Sequence, residues 1–345
     1  MLLASFVGLS VFAVGLLLFA MNLPLDDAYY IQGSNPPDAE ESEEKVVYHW
    51  PLTNRVAPDD QVISRRPIAM KIDNSSNARP QSGLIDADII YETEVEGGVT
   101  RFNAIFHSRL PESVGPQRSA RESDIWVVPQ WDAYLLYSGA SNEVNAKLAN
   151  TGLDVVSEEF DPRIWERVPW RFAPHNLYVR MENVPEAIGD FGIDVDSWIL
   201  RSLDFEEVSS DEATQTIAVA ELSSITVPYE ATVIDWTWDS KNQRFLRFQD
   251  ALPHTDYVTE QQLGADNVII LVADYTNFDK GGEAILFKGG VRFDGTWSAG
   301  IGRPPELRDK EGRLMLYRSG TTWFEVVPLG TEINVMTTVN EDVVD

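Results

Sequence analysis

The 345 residues contain no cysteine. Disulfides, thiolate nucleophiles, cysteine-ligated zinc and thioether-linked lipid are thereby excluded on these residues. Basic residues are scarce as well, with 27 Lys and Arg against 55 Asp and Glu for a formal net charge of −28. Phosphate-backbone binding needs a surplus of cations to release counterions, so this balance argues against a nucleic-acid partner. It argues equally against tight docking on an anionic membrane surface. The chain also lacks a G-x-S-x-G elbow, an H-E-x-x-H pair, a P-loop and a Rossmann G-x-G-x-x-G. Nucleotide hydrolysis and zinc peptidase chemistry lose their usual signatures.

One long apolar run is present. Residues 2–25 carry no charge, and at about 1.5 Å per helical residue such a run spans a hydrocarbon core of about 30 Å. A membrane anchor fits its length; a cleaved secretory signal is the alternative, although a basic leading segment and an A-x-A step are both missing. Either reading exports the bulk of the chain, and the anchor predicts a single-pass cell-membrane protein facing outward. Residues 26–62 follow with Pro36, Pro37 and the run Glu40, Glu41, Glu43 and Glu44. Such composition buries too little apolar surface to offset its ordering entropy and predicts an acidic tether.

From Pro67 the pattern becomes that of a folded body. Residues 68–73 alternate Ile68, Met70 and Ile72 with Ala69, Lys71 and Asp73, as a strand would. Residues 88–96 and 100–108 read as two further strands joined through Gly97 and Gly98, a hairpin. Residues 133–138 read as a buried strand, and residues 143–150 as an amphipathic helix. The expected fold is an α/β N-terminal domain with a mixed sheet over residues 63–204, an acidic linker over 205–224, and a smaller, mostly antiparallel β domain over 225–340. In that second domain the strand candidates are residues 217–220, 231–238, 244–249, 267–274, 283–287, 291–297, 314–317 and 322–327. Trp236, Trp238, Trp297 and Trp323 are its expected core.

Two features of the first domain point toward chemistry. Asp88, Glu92, Glu94 and Glu96 share one face of a strand. Solvated edge-strand charge is the common reason for such a face. The functional reading is a hard-cation site in which Asp88 and Glu92 supply oxygens to a Mg²⁺ cofactor. Further on, Arg101, Arg109, Arg118 and Arg121 are opposed in their segment only by Glu112, an inversion of the overall charge. Surface ion pairs would account for it; so would an anion pocket, because guanidinium forks match phosphate or carboxylate oxygens two at a time. Arg79 joins that candidate set, and Ser119 is placed to donate to an anion or to cap a helix starting near Arg121.

Residues 161–180 mix Trp165, Trp170 and Phe172 with Arg163, Arg167 and Arg171, ending in Pro174, His175, Asn176, Leu177 and Tyr178. Prolines 162, 169 and 174 predict an ordered loop, and aromatic faces beside arginine suit a glycan as well as they suit packing. His175 is the histidine best placed for general acid or base work, with Asp73 and Glu92 as the candidate carboxylate bases, and Asn176 beside it as a ligand contact. His254 and Asp256 form a lesser pair.

The strings RPIAMKIDN, ARPQSGL, ADIIYE, EVEGGVTRF, GPQRSAR and APHNLY occur in this order, followed by RFLRFQDALPHTD, NVIIL, GGEAILF, DGTW and GTTWFEVVP. In these motifs the chain, from about residue 63 to about residue 330, resembles the YerB-type lipoproteins of bacteria, a two-part family of unknown function. The resemblance implies an envelope protein facing outward and commonly held by a lipidated cysteine. Here no cysteine exists, so attachment would fall to the N-terminal helix. A looser similarity of layout links the early block to the LytR-CpsA-Psr glycopolymer transferases; it transfers no residue role. The functional expectation is therefore an envelope protein or scaffold that binds an anionic phosphate or glycan-type ligand. A Mg²⁺-assisted phosphotransferase or hydrolase acting on a lipid-linked sugar phosphate is the alternative.

Overall fold

The computed structural model describes residues 46–196, 198–199, 201–207, 220–275, 277–300 and 302–339. The expected membrane segment, most of the tether and residues 208–219 of the linker lie outside the described residues. Among the described residues the two main sheets hold sixteen strands: two of two residues each, Leu252–Pro253 and Gly264–Ala265, and fourteen longer ones. The longer ones are β1 (Ile68–Asp73), β2 (Ile89–Glu94), β3 (Thr100–Phe106), β4 (Tyr134–Tyr137), β5 (Val155–Ser157), β6 (Ala220–Pro228) and β7 (Val233–Asp239), then β8 (Arg244–Gln249), β9 (Asn267–Ala273), β10 (Gly282–Lys288), β11 (Val291–Ser298), β12 (Glu306–Asp309), β13 (Thr322–Pro328) and β14 (Asn334–Val339). The helices used below are α1 (Glu122–Val127), α2 (Asn142–Ala149) and α3 (Val184–Asp190).

A ten-stranded mixed sheet runs in the order β12-β11-β10-β9-β13-β2-β3-β1-β4-β5. Its second half comes from the N-terminal domain and its first half from the C-terminal one. The seam is the parallel pairing of β13 with β2, in which Glu325 lies opposite Glu92. The smaller sheet, β8-β7-β6-β14 with Leu252–Pro253 at one edge, is antiparallel. The layout is thus an N-terminal domain with a large mixed sheet and a C-terminal domain of mostly antiparallel strands, with few helices.

Both faces of the large sheet are covered, which is why β1 and β3 are buried along their whole length. On one face Ile90, Phe102 and Trp323 pack against Ile225, Ile234, Trp236 and Phe245 of the small sheet, while Leu177, Val179 and α3 cover the other end. On the opposite face Tyr91, Ile105, Leu135 and Phe324 pack under Val127, Trp131 and Leu148. The hairpin expected through Gly97 and Gly98 forms between β2 and β3, with both glycines at positive φ as its tight reversal requires.

Three expectations need correction. The acid-bearing strand β2 is not an edge, because the C-terminal strand β13 pairs with it and so buries Glu92. Residues 314–317 do not form a strand; Met315 and Tyr317 are buried from a loop joined to its neighbours by isolated bridges. Part of the segment expected to be tether up to residue 62 is packed, with Trp50 and Ala57 buried and Leu52 and Thr53 fully buried. All four tryptophans expected in the second core are buried.

A candidate anion site on the helix face of the sheet

Strand alternation puts Lys71 and Asp73 of β1, Arg101 and Asn103 of β3, and Thr93 of β2 on one face. The registers align them in two rows: Thr93 opposite Arg101 opposite Asp73, and Tyr91 opposite Asn103 opposite Lys71. Helix α1 starts above these rows. Its Asp124 is fully buried and ties helix to sheet, taking Lys71 Nζ at 2.7 Å and Asn103 Nδ2 at 2.9 Å on Oδ1. The other oxygen accepts the Arg121 backbone N–H at 2.7 Å. Burial lowers the Lys71 ammonium below its ordinary range; Asp124 opposes that shift, and the neighbouring charges of Arg101 and Arg121 add to it.

At the end of the first row, Asp73 is buried and holds two basic side chains on a single oxygen. His175 Nδ1 lies 2.7 Å and Arg118 Nε 3.0 Å from Oδ2. The Ser75 N–H donates to Oδ1 at 3.0 Å. Arg101 stands between Asp73 and α1. Its Nη1 donates to the Ser119 carbonyl at 2.9 Å, and Arg121 Nη1 reaches that same carbonyl at 3.4 Å. Arg121 Nε is paired with Glu96 at 2.8 Å. Among the described residues no carboxylate forms an ion pair with Arg101, and its buried Nε has no acceptor. Burial, followed by the charges of Arg121 and Arg118, pulls the Arg101 guanidinium down to about 10. Desolvation disfavours the charged form and neighbouring like charges add to it, while Asp73 and Glu96 oppose the shift in part.

The structure therefore brings Asp73, Arg101, Arg118, Ser119, Arg121 and His175 together, with Ser119 contributing its carbonyl where a hydroxyl donor or cap was expected. It does not bring in Arg79, whose Nη1 is paired with Asp250 of the C-terminal domain at 2.8 Å. Arg109 is paired with Asp86 at 3.2 Å. The Asn176 side chain accepts from Arg167 Nη1 at 3.1 Å. In the aromatic loop Trp165 is buried, Trp170 stacks parallel on Tyr257 at 6.1 Å, and Phe172 is exposed three residues before His175.

The cation pair is corrected outright. Asp88 is buried and spends its oxygens on the backbone N–H groups of His107 at 2.7 Å and Ser108 at 2.6 Å and on the Ser108 hydroxyl. Glu92 points to the opposite face and accepts from Asn74 Nδ2 at 3.0 Å, Thr100 Oγ1 at 2.6 Å and Arg247. Among the described residues no three His, Asp or Glu side chains converge as a metal site.

Sequence reasoning missed a second polar cluster, between the two sheets. Arg247 is fully buried, its guanidinium lying 4.8 Å from the ring centre of Trp323, 5.5 Å from Phe102 and 5.8 Å from Trp236. It binds Glu92 and His254, and donates to Gln249 at 3.0 Å. Glu325 lies beside Glu92 and accepts from Trp236 Nε1 at 2.9 Å and Tyr229 Oη at 2.8 Å. Burial, and then the neighbouring Glu92, push the Glu325 carboxyl up to about 8. The available signal was the alternation Phe245, Arg247, Gln249 in β8, whose buried positions include a charge.

A large mixed sheet carried through two domains, with a charged latch between sheets and an arginine cluster on the helix face, defines the class of this protein. The two halves match the models described as "Protein of unknown function (DUF3048) N-terminal domain" over residues 52–194 and the corresponding C-terminal domain over residues 225–324. The chain belongs to this two-part, YerB-like family of unknown function. It is 29% identical over 293 residues to "Putative lipoprotein YerB" of Bacillus subtilis (strain 168), covering 81% of this chain and 86% of that protein. It is also similar to the crystal structure of YerB protein from Bacillus subtilis, with a TM-score of 0.74 and 27% identity over 84% of this chain and 99% of the other.

Proposed function

We propose that this protein is an envelope-associated binding protein or scaffold whose basin of Arg101, Arg118, Arg121 and His175 holds an anionic ligand of phosphate or glycan type. The observation that carries the reading is Arg101, a buried guanidinium that pairs with no carboxylate among the described residues, has an unanswered Nε–H, and is weakened by burial and then by two neighbouring arginines. An external oxyanion would relieve that crowding, since charge-assisted N–H···O⁻ bonds are the strong ones. Arg118 and Arg121 retain about a quarter of their side-chain surface, at 24% and 22%, and so remain reachable from solvent. Envelope location is supported by the Bacillus subtilis relative, which is named as a lipoprotein. The apolar run 2–25 would provide the attachment that a cysteine-free chain needs. Among the described residues no helix is long and apolar enough to cross a membrane.

Titration of the full chain in detergent with pyrophosphate, followed by calorimetry, tests the reading. Saturable binding that weakens in Arg118→Ala and Arg101→Ala while both variants stay folded is the expected result. Unchanged binding, or none in the wild type, removes it.

The second reading, a phosphotransferase or hydrolase, is favoured by the Asp73–His175 contact. Asp73 engages Nδ1 and leaves Nε2 for proton transfer, the arrangement general acid–base catalysis uses. A Mg²⁺ ion in this reading arrives bound to substrate phosphates. Turnover of a lipid-linked pyrophosphate that requires Mg²⁺ and is abolished in His175→Gln would favour the enzyme; binding without turnover favours the scaffold.

A further inference from the structure

Two adjoining hollows lie beside the arginine cluster at its Arg121 end. The smaller, about 190 Å³, is bordered by Thr93, Glu96, Arg121 and Ser123. The larger, about 420 Å³, is bordered by Ile125, Trp126, Pro129 and Leu153, with Thr151, Asn277 and Asp279 at its polar side. Glu122, Tyr275 and Phe278 line both, so the two adjoin and together make a trough along these side chains. Its wall is aromatic: the Trp126 ring stacks on Phe278 at 4.6 Å and 19°, and Tyr275 lies 5.6 Å from Phe278. A volume near 400 Å³ with mostly apolar lining and a few polar groups is typical of a small-ligand site.

The trough's chemistry narrows its occupant. A hydrocarbon tail would desolvate Glu94, Glu96, Glu122 and Asp279, a cost that burial of the tail must first overcome. A cation would find three of those carboxylates already engaged. Glu96 is on Arg121 at 2.8 Å, Glu122 on Lys147 at 2.7 Å, and Glu94 accepts the Glu230 N–H at 2.9 Å. What remains beside the rings is a set of acceptors with unused lone pairs. A sugar matches this pattern, since its C–H face lies on aromatic rings while its hydroxyls donate to carboxylates and amides.

We infer that the trough of Trp126, Tyr275 and Phe278 binds the sugar part of a glycosyl phosphate whose phosphate rests on Arg121 and its neighbours. This inference rests on the anion reading above and specifies its ligand. Phosphate and sugar then bind at adjoining places, so a molecule carrying both gains from the linkage.

The test is calorimetry on the full chain in a sugar-free zwitterionic detergent, using inorganic phosphate, glucose 1-phosphate and butyl phosphate as probes. Glucose 1-phosphate is expected to bind at least tenfold more tightly than inorganic phosphate. Phe278→Ala, which removes a ring, and Asn277→Trp, which fills the trough from an exposed loop, are each expected to erase that gain while leaving inorganic phosphate binding unchanged. Equal affinity for glucose 1-phosphate and inorganic phosphate in the wild type overturns the inference and leaves the anion reading standing. Butyl phosphate binding as tightly as glucose 1-phosphate also overturns it, in favour of an apolar tail. Absence of binding by all three probes overturns both.

Discussion

Arg118 and His175 converge on one oxygen, Oδ2 of Asp73, at 3.0 and 2.7 Å. One buried carboxylate thus answers two side chains, while the adjacent Arg101 has no carboxylate of its own among the described residues. The charge of Asp73 competes with any external anion. Asp73→Asn removes that competitor, and pyrophosphate affinity is expected to rise several-fold, consistent with about 1 kcal/mol of Coulomb energy at a partly hydrated site. Native stability should fall in the same variant. Calorimetric titration beside thermal unfolding checks both. A drop in affinity in folded protein would mean that Asp73 orients His175 for binding and does not screen it.

Arg101→Gln keeps most of the side-chain volume and removes the charge. Since Arg101 has no ion-pair partner among the described residues, the fold should tolerate the change, with Tm within a few degrees of wild type. Anion binding is expected to weaken by roughly 10- to 100-fold, the usual worth of hydrogen bonds to a charged group. Circular dichroism melts and titration of the same preparation check it.

Between the sheets, Arg247 and Glu92 are both fully buried. Removing one partner strands the other charge, so Arg247→Ala is expected to destabilise the chain by about 3–5 kcal/mol. Glu325→Gln should be tolerated far better, because it keeps the packing and removes one of two adjacent carboxylates. Urea denaturation at neutral pH measures both.

The same cluster sets a pH dependence. Glu325 sits at about 8 in the native state against an ordinary value of 4.5. Its folded-state value is raised, so the native form binds the proton more tightly than the unfolded chain. Relative to low pH, stability from this group is complete below about 4.5 and is lost as pH rises through about 8. The loss is on the order of a few kcal/mol. Denaturation midpoints across that window should fall with pH in the wild type and follow a flatter course in Glu325→Gln.

Much of the fold was legible in local pattern. The alternation through Ile68–Asp73, the glycine pair between β2 and β3, and the apolar run at Tyr134–Tyr137 each specify their element locally. The partner of β2 was not legible, because β13 arrives from more than two hundred residues away and nothing in 88–96 announces it. That single long-range pairing buries Glu92 on a face supposed to be solvated and moves it from candidate ligand to structural latch. The arginine basin was half legible. Arg101, Arg118 and Arg121 stood out as a local charge inversion, yet Arg79 shares that chemistry and goes to Asp250 instead. Lys71 and Asp124 were missed because fully buried charges are rare and their pairing joins a strand to a helix fifty-three residues later.

The central claim is that Arg101 holds an unanswered donor toward an incoming anion. The most direct measurement is the NMR signal of the Arg101 side-chain Nε–Hε group, assigned by its loss in Arg101→Gln, recorded while phosphate is added to the full chain. A progressive, saturable shift with slowed hydrogen exchange is the predicted result. An Arg101 signal unmoved at saturating phosphate, in protein that is folded by every other resonance, would contradict it.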